Sequence, residues 1–275
     1  MTERRASIRS SLRKLLCFAH RGAAAELPEN TLPSFERAIE LGADALEMDL
    51  HMTSDGVVVV AHDPDGERMA GRATQIRAST LDEVKRWDVG FGFTTGGGRP
   101  HEGKGFCIPT FEEVLDAFPG VLLNVDAKQL EPPVVPALLA LIGRKGATAR
   151  VNVASFHRSA LRDARRRGFG GTTSLAPLEI GLALALPVSL LRALREVGRM
   201  GDAAQIPLRQ GPIVLARRGF IDKCHAAGFT VDFWTVNEPS VARELALLGA
   251  DGIMTDDPRA IVPIVQAARE ALGVG

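Results

Sequence analysis

The chain has 275 residues, which is long for one ordinary domain and enough to bury a sizeable core. Hydrophobic residues make up 45% and charged residues 24% of it, so neither disulfides nor a structural metal is needed for folding. The 33 basic and 33 acidic residues cancel. We therefore expect no nucleic-acid partner, and any site for an anion has to be local.

Redox and targeting features favour the cytoplasm. Cys17, Cys107 and Cys224 are far apart and form no CxxC pair, which favours reduced thiols over disulfides or zinc. The basic segment of residues 4–14 leads into an apolar run that is too short for the core of a signal peptide. The most apolar window, Leu175–Leu191, is interrupted by prolines and does not reach the ~18 apolar residues of a membrane span. The oligomeric state is left open.

Short apolar segments alternate with helical segments along the chain. The predicted strands are, in order, Leu16–Ala19, Ala45–Leu50, Val57–Ala61, Val121–Val125, Val151–Ala154, Gly171–Leu175, Ala203–Ile206, Thr230–Trp234 and Gly252–Met254. The predicted helices are Thr31–Leu41, Pro133–Ile142, Arg158–Arg167, Ala216–Ala227 and Pro239–Leu248. Continuously apolar strands that alternate with helices predict βαβ units in a buried parallel sheet. About eight units favour a closed (β/α)8 TIM barrel of the α/β class, although an open doubly wound sheet also fits the pattern.

The segment from Pro64 to Pro109 breaks this alternation and is rich in Gly, Arg and Thr. A segment of this length without regular elements is usually functional. We therefore expect a single domain over residues 1–275, with an insertion of about residues 64–109 that lies over one barrel mouth.

Polar residues follow several of the apolar runs, which is where barrel enzymes place their active sites. Glu47 and Asp49 are two positions apart on one strand, so both carboxylates point to the same face. Two carboxylates in a low-dielectric barrel mouth repel each other and need a proton or a divalent cation. With Asp126 from a later strand, the oxygen ligands suit one hard ion, Mg2+ or Ca2+, better than zinc.

Basic and titratable side chains accompany these carboxylates in the same pattern. Arg21 and Lys128 can hold an anionic group, Arg21 by a bidentate fork and Lys128 as a point charge. His20 and His62 can act as a general acid/base pair near neutral pH. Such a set suits phosphodiester cleavage, because charge on the phosphoryl oxygens is neutralised while one proton leaves the nucleophile and another reaches the leaving alcohol.

At these residues the sequence resembles the glycerophosphodiester phosphodiesterase family. Residues 19–63, AHRGAAAELPENTLPSFERAIELGADALEMDLHMTSDGVVVVAHD, are similar to the opening signature of that family almost throughout. The segments IPTFEEVLD, WTVN and GADGIMTDDP follow in the expected order. The resemblance covers roughly residues 16–262, which makes it far more specific than a single short motif.

The resemblance implies a barrel that hydrolyses glycerophosphodiesters to an alcohol and sn-glycerol 3-phosphate. The roles that it implies are an acid/base pair of His20 and His62, phosphate ligands Arg21 and Lys128, metal ligands Glu47 and Asp49, and a pocket residue Trp234. The family pattern has Glu where this chain has Asp126. An Asp reaches about 1.5 Å less far, so we expect metal affinity or preference to be altered.

Two further hypotheses stay open. Residues 205–208 and 220–239 resemble the branch that includes lysophospholipase D enzymes, which implies lysophospholipid substrates that yield lysophosphatidic acid and a free head group. The apolar stretch Ile180–Leu194 then offers an acyl-chain or peripheral membrane contact, or it is an ordinary barrel helix. The other hypothesis is a catalytically silent barrel that binds phosphate or lipid.

Other polar residues receive structural interpretations. Asp256 and Asp257 precede Pro258 and are interpreted as a helix start, and Asn237 as the cap of the helix that follows it. His225 is interpreted as a surface or helix residue.

Overall fold

The computed structural model describes residues 15–273 of the chain. The basic segment of residues 4–14 lies outside the described residues. The strands are β1 Leu16–His20, β2 Ala45–Met52, β3 Val58–Val60, β4 Asp65–Gly66, β5 Arg72–Gln75, β6 Leu122–Ala127, β7 Val151–Ala154, β8 Thr172–Thr173, β9 Ala203–Ile206, β10 Arg209–Gln210, β11 Ile213–Val214, β12 Thr230–Phe233 and β13 Gly252–Thr255.

Eight of these strands form a parallel barrel, in the order β8-β7-β6-β2-β1-β13-β12-β9. A parallel bridge between Ser174 and Ala203 joins the two ends of this order and nearly closes the barrel. The predicted (β/α)8 barrel is therefore confirmed. Strand β8 is shorter than the predicted Gly171–Leu175, so the barrel closes through its shortest strand.

Helices follow most of the barrel strands and cover them. They are α1 Leu32–Glu40, α2 Glu67–Ala70, α3 Leu81–Val84, α4 Phe111–Ala117, α5 Val135–Arg144, α6 Arg158–Arg166, α7 Pro177–Ala185, α8 Val188–Glu196, α9 Arg218–Ala227, α10 Pro239–Leu248 and α11 Pro258–Leu272. The five predicted helices are all present, with ends within two residues of the prediction. Thr31 caps α1 by accepting a hydrogen bond from the Ser34 N–H, and Gly228 ends α9 with a φ of +86°. Within the described residues, no helix is both long and apolar enough to cross a membrane.

The apolar run Val57–Ala61 differs from the prediction in its direction. It was expected among the parallel strands, but β3 pairs antiparallel with β2. Strand β2 continues past the other barrel strands, and the chain then returns beside it, so that the Ala61 N–H donates to the Asp49 carbonyl oxygen at 2.9 Å. This return brings His62, the next residue, back to the level of Asp49.

The predicted insertion is an ordered segment with short elements of its own. It contains the antiparallel pair β4–β5 and the short helices α2 and α3. These elements pack around an apolar cluster apart from the barrel core, formed by Val59, Ile76, Val84, Trp87, Val89 and Ile108. Because Val59 belongs to β3, the insertion is packed directly against the strand that leads to His62.

Helix α7 is fixed to the barrel by a buried ion pair. The guanidinium of Arg165 in α6 lies 2.7 Å from the carboxylate of Glu179 in α7, and their side chains are 7% and 1% exposed. Arg165 also donates to the Thr173 hydroxyl and to the Ser174 carbonyl oxygen. The pair therefore connects α6, α7 and the short strand β8 at the place where the barrel closes.

We predict that Arg165→Met lowers the free energy of unfolding by about 3–5 kcal/mol, because it leaves the buried Glu179 carboxylate without its partner. The double variant Arg165→Met/Glu179→Leu recovers much of this loss, since no buried charge remains. Urea unfolding followed by circular dichroism measures both. A loss below about 1 kcal/mol in the single variant, as for an exposed pair, would contradict the assigned role.

Candidate active site

A cavity of about 610 Å3 opens at the carboxyl ends of the barrel strands. Its walls include all eight residues that the sequence predicted for the site, namely His20, Arg21, Glu47, Asp49, His62, Asp126, Lys128 and Trp234. The structure thus brings the whole predicted set to one place. Their individual roles remain predictions.

Strand register brings the acidic residues of this set together. In the parallel pairing, His20 of β1 lies beside Glu47 of β2, and Asp49 of β2 lies beside Asp126 of β6. Glu47 and Asp49 share a face because they are two positions apart on their strand. The three acidic residues are only 5%, 2% and 7% exposed, so three carboxyl groups are buried at one barrel mouth.

Two basic side chains compensate the negative charge of Asp49. The Lys128 ammonium lies 3.0 Å from one Asp49 oxygen and 2.7 Å from an Asp126 oxygen. The Arg21 Nε lies 3.2 Å from the other Asp49 oxygen, which also accepts a hydrogen bond from the Asn30 side chain at 3.0 Å. Two positively charged side chains therefore contact a carboxylate that is almost completely removed from water.

The carboxyl groups differ in how well their burial is offset. Burial and the neighbouring Asp49 charge raise the pKa of Glu47 to about 8. Burial also raises the pKa of Asp126, in spite of the nearby Lys128. Burial acts on Asp49 as well, but the charges of Lys128 and Arg21 outweigh it and lower the pKa of that carboxyl. Asp49 is thus compensated, whereas Glu47 and Asp126 are incompletely compensated.

Each of the two predicted histidines is held by its own aspartate. The Nδ1 atom of His20 lies 2.7 Å from an Asp256 oxygen, and the Nδ1 atom of His62 lies 2.7 Å from an Asp63 oxygen. The Nε2 atom of His20 is 3.9 Å from Glu47. Since each Nδ1 is engaged, Nε2 is the ring nitrogen that each histidine has left for proton transfer.

Asp256 is a site residue that the sequence interpretation assigned to a helix start. Only its neighbour has that role, because the Asp257 carboxylate accepts the Ala260 N–H and caps α11. Asp256 instead contacts His20 and accepts a hydrogen bond from Asn237 at 2.9 Å. The rule applied to the other strands, that polar residues directly after a barrel strand face the mouth, would have found it.

A chain of ion pairs also links the insertion to the site. Asp63, which contacts His62, accepts a hydrogen bond from Arg68 of α2 at 2.6 Å. Arg68 in turn lies 2.7 Å from Glu29, and Glu29 lies 3.1 Å from Arg21. The insertion is therefore held to the β1–α1 loop by the same residues that contact one histidine and one site arginine.

Aromatic side chains form one wall of the cavity. The rings of Phe156 and Trp234 meet edge to face with centroids 5.7 Å apart. The Lys128 ammonium lies 5.6 Å from the centre of the Phe156 ring. The charged part of the cavity is thus bordered by an aromatic pair, with Trp234 in the wall where the sequence interpretation expected it.

The carboxylate set is chemically suited to a hard divalent cation. Among the described residues, no three acidic, histidine or cysteine side chains converge on a single point, and the Lys128 ammonium lies between Asp49 and Asp126. The Asp126 Oδ1 atom is buried and has no hydrogen-bond partner within residues 15–273. An oxygen-only donor set with an uncompensated buried acceptor fits Mg2+ or Ca2+ better than a softer metal.

The barrel and this set of charged side chains define an enzyme of the phosphodiesterase class. The chain belongs to the glycerophosphoryl diester phosphodiesterase family, whose model matches residues 20–260. Enzymes of this family generally depend on a divalent metal.

Comparisons with individual proteins agree with this assignment. The chain is 31% identical to a glycerophosphodiester phosphodiesterase of Caldanaerobacter subterraneus over 92% of this chain and 98% of that protein. It is 27% identical to a human lysophospholipase D over 87% of this chain and 82% of that protein. The crystal structure of a glycerophosphodiester phosphodiesterase from Agrobacterium tumefaciens is similar in fold, with a TM-score of 0.75, 22% identity and coverage of 90% of this chain and 99% of that one.

We predict that Asp256→Asn lowers the pKa of His20. Burial disfavours the imidazolium, but the charge of Glu47 and the hydrogen bond with Asp256 outweigh it and raise the pKa, so removal of the Asp256 charge shifts it back down. NMR titration of the His20 ring in EDTA-treated protein measures the shift. Asp257→Asn is the matched control, and an equal shift in both variants, or none in either, would contradict the contact.

Proposed function

We propose that the protein hydrolyses glycerophosphodiesters to an alcohol and sn-glycerol 3-phosphate, with His20 and His62 as the acid/base pair in a site that holds one divalent cation. The observation that carries this proposal is that two histidines, two basic side chains and three carboxyl groups line one cavity, in a barrel that belongs to this family. Family membership also favours an enzyme over a catalytically silent barrel.

Arg21 and Lys128 are the proposed phosphate ligands. Both are directed at the Asp49 carboxylate, so they lie beside one of the carboxyl groups that would hold the cation. The buried Arg21 Nε has no well-aligned hydrogen-bond acceptor among the described residues, although Asp49 is close. A phosphate oxygen offers a guanidinium such an acceptor in a bidentate geometry.

The two histidines supply the proton transfers. One Nε2 atom removes a proton from the attacking group, which is either the neighbouring glycerol hydroxyl or a water molecule. The other Nε2 atom gives a proton to the leaving alcohol oxygen. Asp256 and Asp63 hold the rings at Nδ1 and stabilise the imidazolium that forms at each ring in turn. Which histidine takes which part is left open.

Glu47, Asp49 and Asp126 are the residues that would hold the cation, Mg2+ or Ca2+. When bound, the cation supplies charge neutralisation of the phosphoryl oxygens. The buried Asp126 Oδ1, which has no hydrogen-bond partner among the described residues, supports this assignment. The raised pKa of Glu47 supports it as well, since both observations indicate missing positive charge. The shorter reach of Asp126 compared with the glutamate of the family pattern is the basis for an altered metal preference.

We predict that His20→Ala and His62→Ala each lower kcat for glycerophosphocholine hydrolysis by about 10²–10⁴-fold, the usual contribution of a general acid or base. His225→Ala is the control, because His225 pairs with Asp251, which precedes β13 and lies at the opposite end of the barrel. A coupled assay of released choline measures the rates. Near-normal rates in either active-site variant would refute the acid/base assignment.

We predict that EDTA-treated protein is inactive, and that Mg2+ or Ca2+ restores its activity. Isothermal titration calorimetry should detect one metal-binding event. We expect Glu47→Gln to lower the metal affinity by at least about tenfold, because even substitutions outside the ligand shell produce a loss of this size. Glu196→Gln, on the exposed surface of α8, is the matched control. Full activity after chelation would remove the metal from the proposal.

Lysophospholipids are the second candidate substrate. The relative named as a lysophospholipase D suggests it, and a specific structural observation favours it, because Ile180 and Leu184 of α7 line the same cavity as the site residues. Comparison of glycerophosphocholine with lysophosphatidylcholine as substrates separates the two candidates. A peripheral contact with membranes would accompany the second one.

A further inference from the structure

We propose that His51 is a positioning residue, which holds His62 in place through a hydrogen bond to the His62 backbone. His51 lies on β2, two positions beyond Asp49, and its Nε2 atom is 3.2 Å from the His62 carbonyl oxygen. The inference rests on the proposed function, because it concerns one of the two histidines of the proposed acid/base pair.

One edge of β2 is shared between two partner strands. Strand β1 occupies this edge up to Glu47, whose carbonyl oxygen accepts the Arg21 N–H at 3.1 Å. Strand β3 occupies it further along, and its pairing ends with the bond from the Ala61 N–H to the Asp49 carbonyl oxygen. Because the Glu47 carbonyl oxygen is already taken, the pairing does not continue to His62, whose backbone needs another hydrogen-bond partner.

The side chain of His51 is that partner. His51 and Asp49 point to the same face of β2, because they are two positions apart on the strand. From this face the His51 ring donates to the His62 carbonyl oxygen, and within residues 15–273 no other donor contacts that oxygen. The imidazole of His51 thus extends the contact between β2 and β3 by one residue, up to the proposed acid/base.

The ring of His51 is buried and does not meet the substrate. It is 4% exposed and does not belong to the wall of the active-site cavity. Burial lowers the pKa of His51, although the bond to the His62 carbonyl oxygen opposes this effect. A neutral imidazole carries a single N–H, and a carbonyl oxygen can only accept, so the proton lies on Nε2 and is engaged by His62.

The contact between His62 and Asp63 has a different effect. These two residues are neighbours in the chain, and their contact at 2.7 Å orients the His62 ring within its own segment. His51 belongs instead to the strand that carries Glu47 and Asp49. Its hydrogen bond therefore helps to fix the distance between His62 and the carboxyl groups of the site, where a displacement of about 1 Å can cost about 10²-fold in rate.

Two variants of equal shape test the hydrogen bond. His51→Met removes the N–H donor, whereas His51→Gln keeps an N–H at the same number of bonds from the backbone. With glycerophosphocholine and Mg2+, we expect His51→Met to lower kcat by about 10–10²-fold, and His51→Gln to recover most of this loss. KM should change by less than about twofold, because the proposed phosphate ligands are untouched. Equal kcat values in the two variants overturn the inference.

Thr53→Val is the matched control for a loosened hairpin. Thr53 is 1% exposed, and its hydroxyl accepts the Val57 N–H at 3.0 Å in the turn between β2 and β3. Its substitution removes a buried hydrogen bond of the same hairpin without a contact to His62, so kcat should stay at the wild-type value. A loss as large as that of His51→Met overturns the positioning role. His51→Leu repeats the comparison if His51→Met does not fold.

A double-variant cycle shows whether His51 acts through His62. In the His62→Ala background, we expect His51→Met to lower kcat by less than about twofold, because no imidazole remains to be placed. A further loss as large as that caused by His51→Met in the wild-type background contradicts the inference.

The outcomes separate this inference from the proposed function. If His62→Ala has a near-normal rate, the proposed acid/base pair is wrong, and the positioning role is wrong with it. If His62→Ala is impaired but His51→Met has the same kcat as His51→Gln, only the positioning role is wrong and the proposed function stands.

Discussion

The charge balance around Asp49 is the interaction on which the rest of the site depends. Its carboxylate is 2% exposed, and a charge so far from water is tolerable only beside opposite charge. Lys128 and Arg21 supply that charge. Arg21 is also tied through Glu29 to Arg68 of the insertion, so the pairing at one carboxylate helps to hold the β1–α1 loop and the insertion.

Much of the site follows from local rules applied to the sequence. Alternation along a strand put Glu47 and Asp49 on one face, and the carboxyl-end rule for barrels added His20 and Asp126. His62 was also identified, although the run before it was assigned the wrong direction. An apolar run of valines has the same pattern in a parallel and in an antiparallel strand, and only the long-range pairing of β3 with β2 tells them apart.

Contacts between distant residues could not be predicted either, because a local sequence pattern does not specify them. Asp256 and Asp257 are both acidic and both precede a proline, so local chemistry assigns a helix cap to either. The carboxyl-end rule would have placed Asp256 at the barrel mouth, but only the fold shows that it contacts the ring of His20, 236 positions away, while Asp257 caps α11. Helix α4 was a different kind of omission, because its Thr110–Glu113 capping box is readable in IPTFEEVLD as a helix start.

The same contacts that make the buried charges tolerable also prepare the site for its ligands. Lys128 spans Asp49 and Asp126, so a divalent cation held by these carboxylates, as proposed, would replace the ammonium as their neutralising charge. Lys128 and Arg21 would then be available to an anion, which an uncompensated carboxylate pair would repel. Cation and phosphate are therefore expected to favour each other's binding, because each supplies the charge that the other displaces from its protein partner.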